Sequence, residues 1–182
     1  IQQFCTATKE QDPIAILQQV MEDPAIYMHG PEHHVLVGAA LLTAYHNVTG
    51  ALDLPRALEE MFQRGKQVPG GACGFWGCCG AGVSTGIFWS ILTQTTPLSG
   101  KSWGDCNRMT ARSLQAIGEI GGPRCCKRNS FTAVLTAVRA LEEEMGITLP
   151  VAGPVVCHFQ RENAQCLGRR CPYNPGHSRP QP

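Results

Sequence analysis

Cysteines are the residues of this sequence best suited to chemistry, and their spacing is unusual. Among its ten cysteines, four form two vicinal pairs and three lie near the end of the chain: Cys78-Cys79, Cys125-Cys126, Cys157, Cys166 and Cys171. A disulfide between neighbours strains the intervening peptide, whereas two adjacent sulfurs easily reach one cluster or two destinations. Each vicinal pair is therefore expected to serve a metal or sulfur site.

The three C-terminal cysteines come closest to a metal-ligand set. Eight residues separate Cys157 from Cys166, four separate Cys166 from Cys171, and Pro172 follows. A cysteine followed by proline recurs in segments that bind iron–sulfur clusters. Paired zinc-binding cysteines usually lie about two to four residues apart, so this spacing is not a common zinc pattern. We predict that Cys157, Cys166 and Cys171 are metal ligands.

A glycine-rich segment, 69–82, and a basic segment, 124–128, carry further candidate ligands. Six glycines in the first segment predict an irregular loop whose backbone N–H groups can surround sulfurs. In the second segment, positive charge beside the cysteines favours thiolate and suits an anionic ligand. The candidate cofactor ligands are Cys73, Cys78, Cys79, Cys125 and Cys126, and the candidate cations are Arg124, Lys127 and Arg128.

The run His29-Gly30-Pro31-Glu32-His33 matches the inverted zinc-peptidase pattern, and His34 follows it. That pattern needs both histidines one helical turn apart, but Pro31 places the start of a helix between them. We therefore reject the peptidase interpretation. Glu32 and His33 are predicted to move protons at a site, or one of Glu32, His33 and His34 to ligate. Ordinary polar residues of a first helical turn are an equally good interpretation.

Two other cysteines are weaker candidates. Cys106 lies beside Asp105 and Asn107 near a predicted helix start, which makes it a further candidate ligand. Cys5 is the least favoured of the ten.

Hydrophobic periodicity predicts helices almost throughout the chain. Apolar residues recur at helical spacing over 13–22, 31–47, 55–67 and 131–145, and two further helices are expected to begin at Ser84 or Thr85 and at Ser102. The only strand-like run, 151–156, is broken by a glycine and a proline. We predict an all-α or predominantly α domain over 1–172, with glycine- and cysteine-rich loops forming a metal site, and a disordered tail over 173–182.

Composition bounds the class of protein. A chain of 182 residues buries roughly 70% of its unfolded surface without needing disulfides, so we expect a reduced, cytoplasmic protein. A net charge of +1 and 7% aromatic residues argue against nucleic acid, and no apolar run approaches the roughly 20 residues of a membrane span. The first residue, Ile1, indicates a trimmed chain or part of a longer polypeptide.

Three stretches together resemble an uncharacterised, cysteine-rich domain family of anaerobic archaea and bacteria, sometimes attached to methyltransferase-like domains. They are 28–34, 71–82 and 121–131, so the resemblance extends over most of the chain. It implies an anaerobic setting and a metal or iron–sulfur role, but no particular reaction.

The leading hypothesis is an iron–sulfur protein with a 4Fe-4S cluster, held by cysteines of the C-terminal trio and the two loops. If the protein is an enzyme, its ligand is expected to be a small anionic or thiol-bearing molecule, with Glu32 or His33 moving protons. The alternatives are a zinc-stabilised interaction module attached to another catalytic domain, a thiol-redox or sulfur-carrier protein, and an extracellular disulfide-bonded helical protein.

Overall fold

The computed structural model describes residues 1–177, and within them it contains helices and no strand. The α-helices are α1 Gln2–Ala7, α2 Pro13–Met21, α3 His33–Thr49, α4 Leu54–Gly65, α5 Ala72–Phe75, α6 Gly80–Leu92, α7 Lys101–Ile120 and α8 Cys126–Met145. A short 3-10 helix covers Gly168–Arg170. The prediction of a predominantly helical fold is confirmed.

The helix α3 lies at the centre of the fold. It packs against α2, α4, α6 and α8, and every residue from His33 to Ala44 is buried. A helix surrounded on all sides is expected to be apolar around its whole circumference, as this one is. Because Gly38 lacks a side chain, α6 approaches closely enough for Ser84 Oγ to accept a hydrogen bond from Gly38 N–H at 2.9 Å.

The helix α6 begins at Gly80, so the predicted start at Ser84 or Thr85 is wrong. Ser84 and Thr85 lie within the helix, and their side chains are buried. Thr85 Oγ1 lies 2.9 Å from Ser113 Oγ, which links α6 to α7. Hydroxyl residues suit caps and close helix contacts alike, and here they serve the second purpose.

The helix α8 begins five residues earlier than predicted. Its cap is Cys125, whose sulfur accepts a hydrogen bond from Arg128 N–H at 3.4 Å, and Asn129 and Ser130 lie buried within the helix. Similarly, α7 starts at Lys101 without a side-chain cap. Asp105 pairs with Lys101 and Arg108.

The predicted loop over 69–82 contains two helical pieces. Gly71 adopts φ +86° and precedes the single turn of α5, and α6 then starts within the same segment. Among residues 1–177, no helix is both long and apolar enough to cross a bilayer.

The first residue of the predicted disordered tail, Tyr173, is packed against the core. Tyr173 is 1% exposed, its ring lies edge-on to Phe131, and its hydroxyl lies 2.9 Å from Thr132 Oγ1. This anchor holds the C-terminal segment against α8. The last part of the predicted tail, 178–182, lies outside the described residues.

Candidate metal centre

Four thiols meet where the C-terminal segment packs on the start of α8. They belong to Cys125, Cys157, Cys166 and Cys171, and their charges act on one another. All except the half-buried Cys166 are buried. The structure thus places the predicted C-terminal trio beside one member of the second vicinal pair.

Backbone hydrogen bonds hold the C-terminal segment in this arrangement. Cys157 N–H donates to Tyr173 O at 2.7 Å, which joins the two ends of the segment. Cys166 N–H donates to Asn163 O at 3.0 Å, and Asn163 Nδ2 donates to Cys125 Sγ at 3.3 Å. Asn163 therefore connects the segment directly to the cysteine that caps α8.

Two of the four sulfurs accept a hydrogen bond from a backbone N–H two or three residues further along the chain. Arg128 N–H donates to Cys125 and Gly168 N–H to Cys166, both at 3.4 Å. The backbone of Phe159 and that of Tyr173 lower the pKa of Cys157 and of Cys171, although burial outweighs both effects. Hydrogen bonds of this type favour a thiolate over a thiol.

Burial opposes that preference. Burial raises the pKa of Cys125 and of Cys171, and raises the pKa of Cys157 to about 11. The mutual repulsion of four negative charges acts in the same direction. The four sulfurs would therefore ionise together only with positive charge between or beside them.

A buried arginine supplies part of that charge. Arg128 is 2% exposed, and its charge lowers the pKa of both Cys125 and Cys171, although burial outweighs it. Its side chain donates to three neutral acceptors, Asn129 Oδ1, Gly121 O and Pro123 O. Among the described residues no ion pair includes Arg128, so its charge is available to stabilise negative charge on these sulfurs.

The thiols do not stand at coordinating positions. Within residues 1–177, no group of three or more His, Cys, Asp or Glu side chains could hold a metal ion as arranged. The predicted metal site formed by the cysteine-bearing loops is thus not shown, and a bound metal remains a proposal.

A second group of thiols lies next to the first. Cys79 caps α6, Cys126 opens α8, and the charges of their thiols act on each other. Cys78 adjoins Cys79, and Cys73 lies on α5. The adjacent cysteines 125 and 126 therefore point to different neighbours, one to each group.

The segment 29–34 covers this region. The Gly30 backbone partly offsets the rise that burial causes in the pKa of Cys126, and His33 Nδ1 lies 3.1 Å from Gly30 O. The His34 ring lies against Gly80, so closely that a Cβ there would overlap it, and its Nδ1 lies 2.9 Å from Val68 O. His34, a candidate ligand, thus fixes the start of α6.

Three polar atoms of the same segment are buried without a hydrogen-bond partner in the described chain: His29 Nδ1, Glu32 Oε1 and His33 Nε2. Burial, followed by the nearby Lys127 charge, lowers the pKa of His33 to about 3, so its imidazole is neutral. With Nδ1 donating to Gly30 O, His33 Nε2 carries a free lone pair. This nitrogen can accept a hydrogen bond.

The predicted anion-binding cations are differently placed. Lys127 is 1% exposed, and its Nζ lies 3.1 Å from Ile26 O and 4.8 Å from the centre of the Phe159 ring. Its N–H groups donate to backbone carbonyl groups in the interior. Lys127 therefore influences the site through its charge and does not bind an anion directly. Arg124 is exposed, and its charge acts on Cys126.

The two weaker cysteine candidates belong to the core. Cys106 Sγ lies 4.0 Å from Thr93 Oγ1 between α7 and the end of α6, and Cys5 is fully buried beside Thr43.

Sequence reasoning missed Asn163 and Asn129. Asn163 donates to Cys125, and Asn129 Nδ2 donates to Cys79 Sγ at 3.4 Å. No local pattern marks an asparagine that reaches a distant sulfur. The position of Asn129, three residues after Cys126, was the one available signal.

Comparison with known proteins gives a family but no activity. A search of curated proteins finds no similar chain, and a search of solved structures finds no similar fold. A family model described as a family of unknown function matches residues 1–174. The chain accordingly belongs to this family, DUF5714.

Proposed function

We propose that this chain is an iron–sulfur protein that binds a 4Fe-4S cluster through Cys125, Cys157, Cys166 and Cys171. The observation that carries the proposal is that the four thiols lie close enough for their charges to interact, while N–H groups donate to the sulfurs of Cys125 and Cys166. Hydrogen bonds to ligand sulfurs are a principal means by which proteins tune such clusters.

The charge of the surroundings supports a negatively charged thiolate centre. Arg128 and Lys127 are both buried, and in residues 1–177 neither belongs to an ion pair with a carboxylate. Buried cations are costly, so nearby negative charge stabilises them. Burial lowers the pKa of Lys127, and the charge of Glu32 partly offsets this effect. A cluster ligated by four thiolates would provide negative charge beside Arg128.

The choice of iron over zinc rests on the local sequence. Cys171 is followed by Pro172, as in cluster-binding segments, and the three C-terminal cysteines lack the closely spaced pair typical of zinc sites.

The surplus of thiols and the buried atoms of Glu32 and His33 that lack a hydrogen-bond partner leave room for chemistry beside the cluster. We propose Glu32 and His33 as its proton-handling groups.

Metal analysis of the full chain tests the proposal. Protein purified without oxygen should be brown and contain about four iron and four sulfide per chain, with little zinc. After reduction it should show the electron-paramagnetic signal of a cluster. A colourless protein with one zinc per chain would instead establish the zinc-stabilised module, and a metal-free, folded chain would refute both.

A further inference from the structure

The second thiol group contains two cysteines that lie at the starts of different helices. Cys79 immediately precedes α6 and Cys126 is the first residue of α8. Asn129 lies one turn beyond Cys126 on the same face of α8, where side chains three apart are about 5–6 Å from each other. Because Asn129 Nδ2 donates to Cys79 Sγ at 3.4 Å, Cys79 lies over the face that carries Cys126.

Both cysteines are partly exposed, and the sulfur of Cys79 is held in place. Asn129 Nδ2 donates to Cys79 Sγ, and each cysteine is only half-buried. The adjacent loop is open to solvent, since Phe75 is 89% and Trp76 70% exposed. A small reagent can therefore approach Cys79 from the side of α5.

Other pairings are less favourable. A bridge between Cys78 and Cys79, or between Cys125 and Cys126, would strain the peptide that joins them. Cys125 is moreover directed towards the other thiol group by its bonds to Arg128 N–H and Asn163.

We propose that Cys79 and Cys126 are a redox-active dithiol that exchanges with low-molecular-weight disulfides and closes to a reversible bridge between α6 and α8. This activity is separate from cluster binding, because it uses neither Cys125 nor the three C-terminal cysteines.

The exchange proceeds in two balanced steps with oxidised glutathione as the disulfide. The Cys79 thiolate attacks one sulfur, the glutathione S–S bond breaks, and one glutathione leaves as a thiol after taking up a proton. Cys126 then loses its proton and attacks Cys79 Sγ, which releases the second glutathione as a thiol. Two electrons and two protons pass from the protein, and one disulfide becomes two thiols.

The two cysteines have different roles in this sequence. Cys79 ends the exposed loop that follows α5, where a small disulfide can reach it, whereas Cys126 is the first residue of α8. Cys79 is thus the attacking thiol and Cys126 the resolving one.

Mass spectrometry of the full chain tests the proposal. Protein isolated without oxygen is equilibrated with defined mixtures of reduced and oxidised glutathione, alkylated with iodoacetamide and digested with trypsin. The expected product joins fragment 67–101 to fragment 125–127 and has lost two hydrogens, and reduction restores the separate fragments. Fragmentation between residues 125 and 126 and between residues 78 and 79 assigns both bridged sulfurs without any mutation.

Three single substitutions complete the test. Cys79→Ser and Cys126→Ser should each lose the bridged product, whereas the matched control Cys78→Ser should retain it. A wild-type chain with no bridge at any glutathione ratio overturns the proposal, as does a bridge retained in Cys79→Ser or Cys126→Ser. The assay is read on iron-containing and iron-free fractions separately, so its outcome and that of the cluster proposal are distinguishable.

Discussion

Asn163 Nδ2 donates a hydrogen bond of 3.3 Å to Cys125 Sγ, which joins the C-terminal segment to the N-cap of α8. The orientation of the amide is fixed, because Asn163 Oδ1 accepts from Gln165 N–H at 2.9 Å and lies 3.2 Å from His29 Nε2. The segment 29–34 thus reaches the cap of α8 through one buried side chain.

Replacing this amide should weaken the proposed centre without removing a ligand. Asn163→Leu deletes the hydrogen bond to Cys125 and is expected to lower iron affinity by about 10–100-fold, the usual effect of losing an outer partner of a metal ligand. Iron retention against a chelator measures the change. Gln165→Leu is the matched control, since Gln165 also contacts His29 but is not a partner of Cys125. Equal retention in both variants would contradict the expectation.

Because His34 packs on Gly80, we expect Gly80→Ala and Gly118→Ala to change the unfolding free energy in opposite directions. In Gly80→Ala the new methyl group would overlap the His34 ring, which should cost about 1–3 kcal/mol of unfolding free energy and displace Cys79. Gly118→Ala in α7 meets no atom within 4 Å and should stabilise the protein by up to about 1 kcal/mol. Denaturant unfolding of both variants provides the measurement. A harmless Gly80→Ala would show that this contact is not tight.

Burial of neutral His33 predicts a loss of stability in acid. Its native pKa, about 3, lies below the unfolded value of about 6.5, so the unfolded chain binds the extra proton between these values. The unfolding free energy should therefore be unaffected by His33 above about pH 7, and fall by about 1.4 kcal/mol per pH unit on acidification below about 6.5.

Comparison with His33→Asn isolates this effect, because asparagine can still donate to Gly30 O but cannot titrate. The difference in unfolding free energy between wild type and variant should shrink as the pH falls. His46→Asn, at a partly exposed position of the same helix, should run parallel to wild type. Parallel curves for His33→Asn as well would refute the prediction.

Much of the fold could be predicted because its signals are local. Asp12 caps α2 by accepting from Ile14 N–H at 2.7 Å, and the following Pro13 opens the helix, as expected from the sequence. The start of α8 was misplaced because Cys125 caps it with sulfur, whereas sequence rules look for oxygen. Ser84 and Thr85 were misread because a buried hydroxyl between helices resembles a cap in sequence.

The candidate site was only partly predictable, because many of its contacts join residues that are far apart in the sequence. The spacing of the C-terminal cysteines singled them out, and strain within a vicinal pair indicated that its sulfurs would find other partners. Each vicinal pair could contribute either cysteine to either thiol group. The choice depends on how α6, α8 and the C-terminal segment pack together. The commitment of Lys127 to the carbonyl of Ile26 likewise depends on tertiary structure.

Iron and sulfide content of Cys125→Ser tests the central claim most directly, since Cys125 lies at the start of α8, outside the C-terminal trio. The proposed centre predicts that anaerobically purified wild type holds about four iron per chain, that Cys125→Ser loses most of it, and that the core variant Cys106→Ser keeps it all. Full iron content with an unchanged electron-paramagnetic signal in Cys125→Ser would contradict the assignment of this cysteine and of the four-thiol centre.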